Sequence, residues 1–257
     1  MRQHHFLPLV SPIGLALYQL LAIVFFANAE DLYDVSFESP LHTVNLPPAT
    51  GGREAPSGIY FGQPLVRPSL WDANNACLEF NIPNPSSDFS LEQVGFNLRV
   101  GSPRLFLGFD VFTKDLAANS GFRILFDTPN VQTFQLSAGP PGQANLSIDG
   151  LLSPVATYPQ QQLLHLGVDV DLLAHTWDFY VNGAHLLTGP FVLSGPDVLG
   201  IRFSLSANSA GPDALVQIDN VRIAAVPEPA TWQFSALGIA LILILRCRQR
   251  WVARIDS

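Results

Sequence analysis

Leu164-His165-Leu166-Gly167-Val168-Asp169-Val170-Asp171-Leu172 alternates apolar and polar residues, and His175-Thr176-Trp177-Asp178-Phe179-Tyr180-Val181-Asn182-Gly183 follows three residues later. A period of two puts Leu164, Leu166, Val168, Val170 and Leu172 on one face of an extended strand. His165, Gly167, Asp169 and Asp171 fall on the other. Asn182-Gly183 separates Trp177–Val181 from Ala184–Leu187 and is a strong hairpin signal, because both residues tolerate the positive φ of a two-residue turn. Trp177 is in phase with Phe179 and Val181 and is predicted to enter a core. The segment reads as consecutive antiparallel strands, each half-buried.

The same period recurs on either side. Leu105, Leu107, Phe109 and Val111 alternate with Phe106, Gly108 and Asp110. Val94, Phe96, Leu98 and Val100 alternate with Gly95, Asn97 and Arg99, and Leu199, Ile201, Phe203 and Leu205 with Gly200, Arg202 and Ser204. Clusters of Pro, Gly, Ser and Asn lie between these runs, and no amphipathic pattern is long enough for a helix of more than two turns. This predicts an all-β chain, a two-layer antiparallel β-sandwich of jelly-roll type. In Val216-Gln217-Ile218-Asp219-Asn220-Val221-Arg222-Ile223 the apolar phase shifts by one, which predicts a β-bulge near Asp219-Asn220.

Both ends of the 257 residues read as addresses rather than fold. Met1-Arg2-Gln3-His4-His5 is a basic start, Leu15 to Phe26 is apolar except for Gln19, and Ala27-Asn28-Ala29 offers the small residues a signal peptidase reads. Residues 1–29 are therefore expected to be a signal peptide, with Glu30 starting the mature chain. At the other end, Val226-Pro227-Glu228-Pro229-Ala230-Thr231 is held extended by its prolines. An uncharged run from Trp232 to Leu245 follows, and then Arg246, Arg248 and Arg250, which favour the cytoplasmic side and stop export. Fourteen residues at about 1.5 Å each give roughly 21 Å of helix, short against about 30 Å of hydrocarbon.

This tripartite tail (motif 226–231, transmembrane helix 232–245, basic end 246–257) resembles the PEP-CTERM sorting signal of Gram-negative bacteria. The resemblance implies recognition and removal by exosortase, transient anchoring in the inner membrane, and a final place at the cell surface or in the extracellular matrix.

Between the two addresses, residues 30–225 suffice for one domain with a substantial core. Twenty of the 21 acidic residues but only eight of the 13 basic ones lie between residues 30 and 229, so this region is strongly acidic. Such a surface is a poor partner for nucleic acid. Cys77 and Cys247 fall on opposite sides of the predicted membrane span and cannot pair within one chain, so stability must come from burial. Cys77 is read as a small buried residue.

The run from Asp169 through Gly183, with its tryptophan strand leading into Tyr-Val-Asn-Gly, is similar to the hairpin of concanavalin A/laminin-G-like jelly rolls. The closing strand 216–223 looks like the last strand of those folds, which pairs with the first, here Asp34-Val35-Ser36-Phe37-Glu38. The chemistry legible in the residues is sparse. Glycosidases need two carboxylates converging across a sugar, and the Glu-x-Asp-x-x-Glu run common on such folds is absent. The nearest candidates are Asp169 and Asp171 on one polar face, with Asp178 and Tyr180 on the next strand and His165 sharing the face. This group reads as a sugar site, as a calcium site (Asp169, Asp171 and Asp219 being the oxygen donors), or as a solvated outer face. Trp71 sits in a turn-rich loop and is a candidate either for stacking on a sugar ring or for tucking into the edge of the sandwich. Phe106 and Phe112 fall on the polar face of their strand, either as a stacking surface or beneath a loop. His165, His175 and His185 recur every ten residues, a spacing that reflects strand length better than a zinc site.

With no catalytic run and no required cofactor, the expectation is a non-enzymatic, exported surface protein that binds extracellular polysaccharide, as in a biofilm. The alternatives are a glycoside-active enzyme on a jelly roll and a structural matrix filler without ligand.

Overall fold

The computed structural model describes residues 30–83, 90–98, 104–116, 120–127, 132–149, 151, 154–190, 198–207 and 214–226. Asp31–Ala225 forms one compact unit. The expected signal peptide and, apart from Val226, the expected sorting tail lie outside the described residues.

The described strands are β1 (Glu30–Val35), β2 (Gly58–Phe61), β3 (Leu65–Pro68), β4 (Ala76–Ile82), β5 (Ser90–Asn97), β6 (Arg104–Lys114), β7 (Ser120–Asp127) and β8 (Gln132–Ala138). They continue with β9 (Gln143–Ile148), β10 (Ala156–Pro159), β11 (Leu163–Asp171), β12 (Thr176–Val181), β13 (Ala184–Pro190), β14 (Gly200–Ala207) and β15 (Ala214–Val226). Two antiparallel sheets result, with no helix among the described residues. One runs β13-β12-β11-β6-β15-β4-β3, with β1 also paired to β15, and the other β10-β9-β8-β7-β14-β5-β2.

The alternation predicted from sequence is what closes the sandwich. Leu166, Val168 and Val170 of β11, Trp177 and Phe179 of β12, and Leu107 and Phe109 of β6 are all buried against the second sheet. Aromatic rings join the layers. Phe203 of β14 lies 4.9 Å from Phe109, 5.9 Å from Phe96 and 6.1 Å from Phe122. Phe134 of β8 lies 5.3 Å from Trp177 and 5.1 Å from Phe179. The Trp177 indole is fully used: its Nε1 donates to the Pro190 carbonyl at 2.8 Å.

Val181 pairs with Ala184, and the intervening Asn182 and Gly183 have φ of 51° and 77°, the two positive values of a type I′ turn. A Cβ on Gly183 would meet nothing within 4 Å, so only its backbone conformation constrains the position. Gly183→Val is therefore expected to lower the melting temperature by the strain of one left-handed β-branched residue, about 1–2 kcal/mol. An unchanged melting curve would show that the turn tolerates another conformation.

The phase shift near residue 220 is also present. Asn220 has φ 51°; it and Arg222 are exposed while Val216, Ile218, Val221 and Ile223 are buried. The first strand pairs with the last, as the resemblance implied, but it begins earlier, at Glu30 rather than Asp34.

One expected core residue is not in the core. Leu199 is 61% exposed, because the strand starts one residue later and Leu199 serves the sheet end through its backbone groups. Cys77 is buried, with desolvation and the nearby Asp219, Glu79 and Glu38 carboxylates pushing its thiol far above the usual range. Such a thiol is inert.

Candidate active site

The face of the first sheet that points away from the core is where the sequence candidates meet. In the pairing of β11 with β12, Asp169 stands directly opposite Asp178, and Gly167 opposite Tyr180. On the other side, β6 places Phe106 opposite Asp169, Gly108 opposite Gly167 and Asp110 opposite His165. Paired positions on one sheet face hold their Cβ atoms about 4.5–5.5 Å apart, so the Asp169 and Asp178 side chains are neighbours. The adjacent glycines leave a floor without side chains of its own, and the Phe106 ring lies over it. An added Cβ would come within 3.0 Å of that ring at Gly108 and 3.7 Å at Gly167.

The two aspartates sit in opposed environments. Burial pushes the Asp169 carboxyl up, the Arg104 guanidinium pulls it down, and the Asp178 and Asp171 charges add to the upward shift. The upward causes prevail even though Arg104 Nη2 reaches Asp169 Oδ2 at 2.6 Å. Asp169 Oδ1 is buried and accepts no hydrogen bond among the described residues. Asp178 is held below the ordinary carboxylate range, chiefly by the Thr188 hydroxyl that donates to its Oδ1 and further by His185, whose Nε2 is 3.2 Å away. Burial, with the Asp178 and Asp169 charges, pushes the Tyr180 hydroxyl up. Its ring packs edge-on against His185 at 5.4 Å.

A second polar group lies further along β11. His165 Nδ1 is 2.8 Å from Asp110 Oδ1, and Asp110 Oδ2 accepts from Asn220 Nδ2 at 2.7 Å.

The other expected residues have other roles. Asp171 Oδ1 accepts from the backbone N–H groups of Leu173 and Ala174 at 3.0 and 2.8 Å, so it shapes the turn after β11. Asp219 is buried at another place, accepting from Asn75 Nδ2 at 2.7 Å and from the Phe37 N–H. The expected calcium trio of Asp169, Asp171 and Asp219 is thus not assembled, and among the described residues no three His, Cys, Asp or Glu side chains form a metal-binding group. Trp71 takes the second of its two expected places: its loop folds back over the sheet, and the half-buried indole packs at a tilt on buried Phe112, ring centres 5.6 Å apart. The loop is fastened there by Ser69 Oγ, which accepts from the Trp71 and Asp72 N–H groups, and by Gln217, which accepts from Leu70. His175 occupies an exposed turn with φ 53°, apart from His165 and His185. Arg104, Asp110, Thr188 and Asn220 were not singled out as site residues, because only the cross-strand register brings them to this face.

No family model and no curated protein matches this chain. Solved structures do. The glycoside hydrolase family 131 β-glucanase catalytic domain from Podospora anserina is 12% identical, with 76% of this chain covering 95% of that one at a TM-score of 0.53. A conserved carbohydrate esterase from Shiga toxin-encoding bacteriophage phi24B is 8% identical over 77% of this chain and 99% of that chain, with a TM-score of 0.54. A sialidase aligns with 64% of this chain at 14% identity and a TM-score of 0.47, and the chain spans only 16% of its length. The first two likenesses support the double-sheet fold. They also correct the expectation of a non-enzymatic protein: a β-glucanase catalytic domain is built on this fold, so the absence of one familiar carboxylate run does not exclude catalysis.

Proposed function

We propose that this chain is a polysaccharide-active enzyme that cleaves glycosidic bonds on the outer face of its first sheet. The observation that carries the reading is the facing pair Asp169 and Asp178, whose environments drive their proton affinities apart. Glycoside hydrolysis needs one carboxyl that keeps its proton and one that has lost it. Asp169 is the general acid, protonating the leaving oxygen. Asp178, stabilised as an anion by Thr188 and His185, is the nucleophile or the base. Carboxyl groups in a retaining enzyme stand about 5–5.5 Å apart, closer than in an inverting one, and the directly opposed cross-strand placement favours the closer arrangement, so retention is the expected outcome. Phe106 and Tyr180 flank the pair and supply apolar surface for a sugar ring. The test is release of reducing ends from a panel of β-glucans and other polysaccharides by the purified full-length chain; no release from any of them would overturn the reading.

The ends of the chain support a place for this activity. The basic-apolar-small order of residues 1–29 and the proline-glutamate-proline tail fit export through signal peptidase and sorting by exosortase, so the substrate is a polysaccharide at the cell surface or in the matrix. Glu228→Ala is expected to leave full-length precursor in the membrane of an exosortase-bearing host. Intact-mass analysis showing normal trimming of that variant would remove the main support for the sorting signal.

A further inference from the structure

The His165 group resembles an oriented proton-transfer centre more than a surface ion pair, and three elements hold it. Asp110 of β6 accepts from Nδ1 and so leaves Nε2 as the basic nitrogen. Asn220, at the left-handed bulge of β15, fixes the far oxygen of Asp110. Asn182, at the left-handed turn position after β12, grips the backbone of His165: its Oδ1 accepts from the His165 N–H at 2.9 Å and its own N–H donates to the His165 carbonyl at 2.7 Å. The His165 side chain stays 53% exposed while that of Asp110 is only 18% exposed, so the imidazole is presented and its partner is sheltered. The glycine floor adjoins it, for a Cβ on Gly108 would lie 3.9 Å from His165 Cε1.

His165 is four residues from Asp169 on the same strand, which at about 3.3 Å per residue is roughly 13 Å. Even inverting glycosidases keep their carboxyl pair within about 6.5–9.5 Å. The dyad is too far away to act on the bond that Asp169 and Asp178 would cleave. A lone general base with water can hydrolyse a group that is already electrophilic and neutral. A phosphodiester is disfavoured by the Asp110, Asp171 and Asp178 charges on the same face, and a glycosidic bond needs an acid as well. An acyl ester on a sugar hydroxyl meets the requirement.

We propose that His165, positioned by Asp110 and Asn220, is the general base of a second activity on this face, the removal of O-acyl groups from a polysaccharide. Nε2 takes a proton from water as the water oxygen bonds to the ester carbonyl carbon. The tetrahedral intermediate then breaks its bond to the sugar oxygen, which takes the proton back from the imidazolium. A carboxylic acid and a free sugar hydroxyl leave, and no other reactant is consumed.

The experiment measures acetate released from chemically O-acetylated glucan by the full-length chain, with reducing ends followed in parallel. His165→Gly is expected to lower acetate release by about 10²-fold or more, with partial recovery when imidazole is added to the buffer. Asp110→Asn should lower it while its melting temperature stays near that of the parent. Absence of acetate release by the parent protein, or a His165→Gly variant with undiminished release, would overturn the proposal. Loss without imidazole rescue in a variant that melts normally would also overturn it, by reducing His165 to a structural role. Reducing-end release is read separately, so failure of this activity and failure of the glycosidase reading are distinguishable.

Discussion

Asp178→Asn will abolish glycosidic cleavage, with a loss of 10²-fold or more expected for removing a group that acts on the reacting centre. Asp169→Asn will cut cleavage of a natural polysaccharide comparably but spare an activated aryl glycoside, whose leaving group needs no proton. The pH profile follows from the two shifts. Asp178 is lowered, so its anion persists as pH falls and the acid limb lies below the ordinary carboxylate range. Asp169 is raised, so its proton is kept as pH rises and the alkaline limb lies above that range. Asp169→Asn removes the second limb. The same shifts act on stability with opposite signs: the contribution of Asp169 is present at low pH and lost as pH rises through its raised value, whereas that of Asp178 is present at higher pH and lost as pH falls. Aryl glycoside turnover unaffected by Asp178→Asn would reassign the nucleophile.

Phe203→Ala will cost about 3–5 kcal/mol, the range for deleting a buried aromatic side chain when the surroundings relax only in part. Phe203 is fully buried and touches rings from both sheets, Phe109 on one side and Phe96 and Phe122 on its own. The hole cannot close without drawing the two layers together. Chemical denaturation reads the change directly, and Leu173→Ala, at a side chain 66% exposed, is the control expected to stay within about 0.5 kcal/mol. Equal midpoints for the two variants would mean that the inter-sheet cluster contributes little.

What the sequence made legible was whatever depends on neighbours along the chain. The hairpin at Asn182-Gly183, the inward Trp177 and the bulge at Asn220 all follow from a two-residue period and from residues that accept positive φ. Leu199 misled because the backbone pairing runs on past the point where the alternation holds: Val198 is buried there and Leu199 is exposed. The site divides the same way. Asp169, Asp178 and Tyr180 share a face by alternation alone, so they were visible as a group. That Asp169 faces Asp178 rather than pairing with Asp171 is a matter of register, and Arg104 and Asp110 come from a strand some sixty residues earlier. The sequence leaves Trp71 between stacking on a sugar and tucking into the sandwich edge because nothing local says which way its loop turns; the fastening that tucks it in comes from Gln217, far along the chain.

The place of β15 in the first sheet has a consequence for biogenesis. It is the last described strand of the chain, yet it lies between β6 and β4 and also pairs with β1. A nascent chain that has not yet released residues 214–226 therefore has three strands waiting for one missing partner, and their apolar faces cannot be sealed. Folding of this sheet is forced to wait for residues 214–226, and pairing over so great a separation is intrinsically slow. A polypeptide wired in this way keeps its first sheet open until that one strand arrives, and the arrival closes both sides of the gap at once.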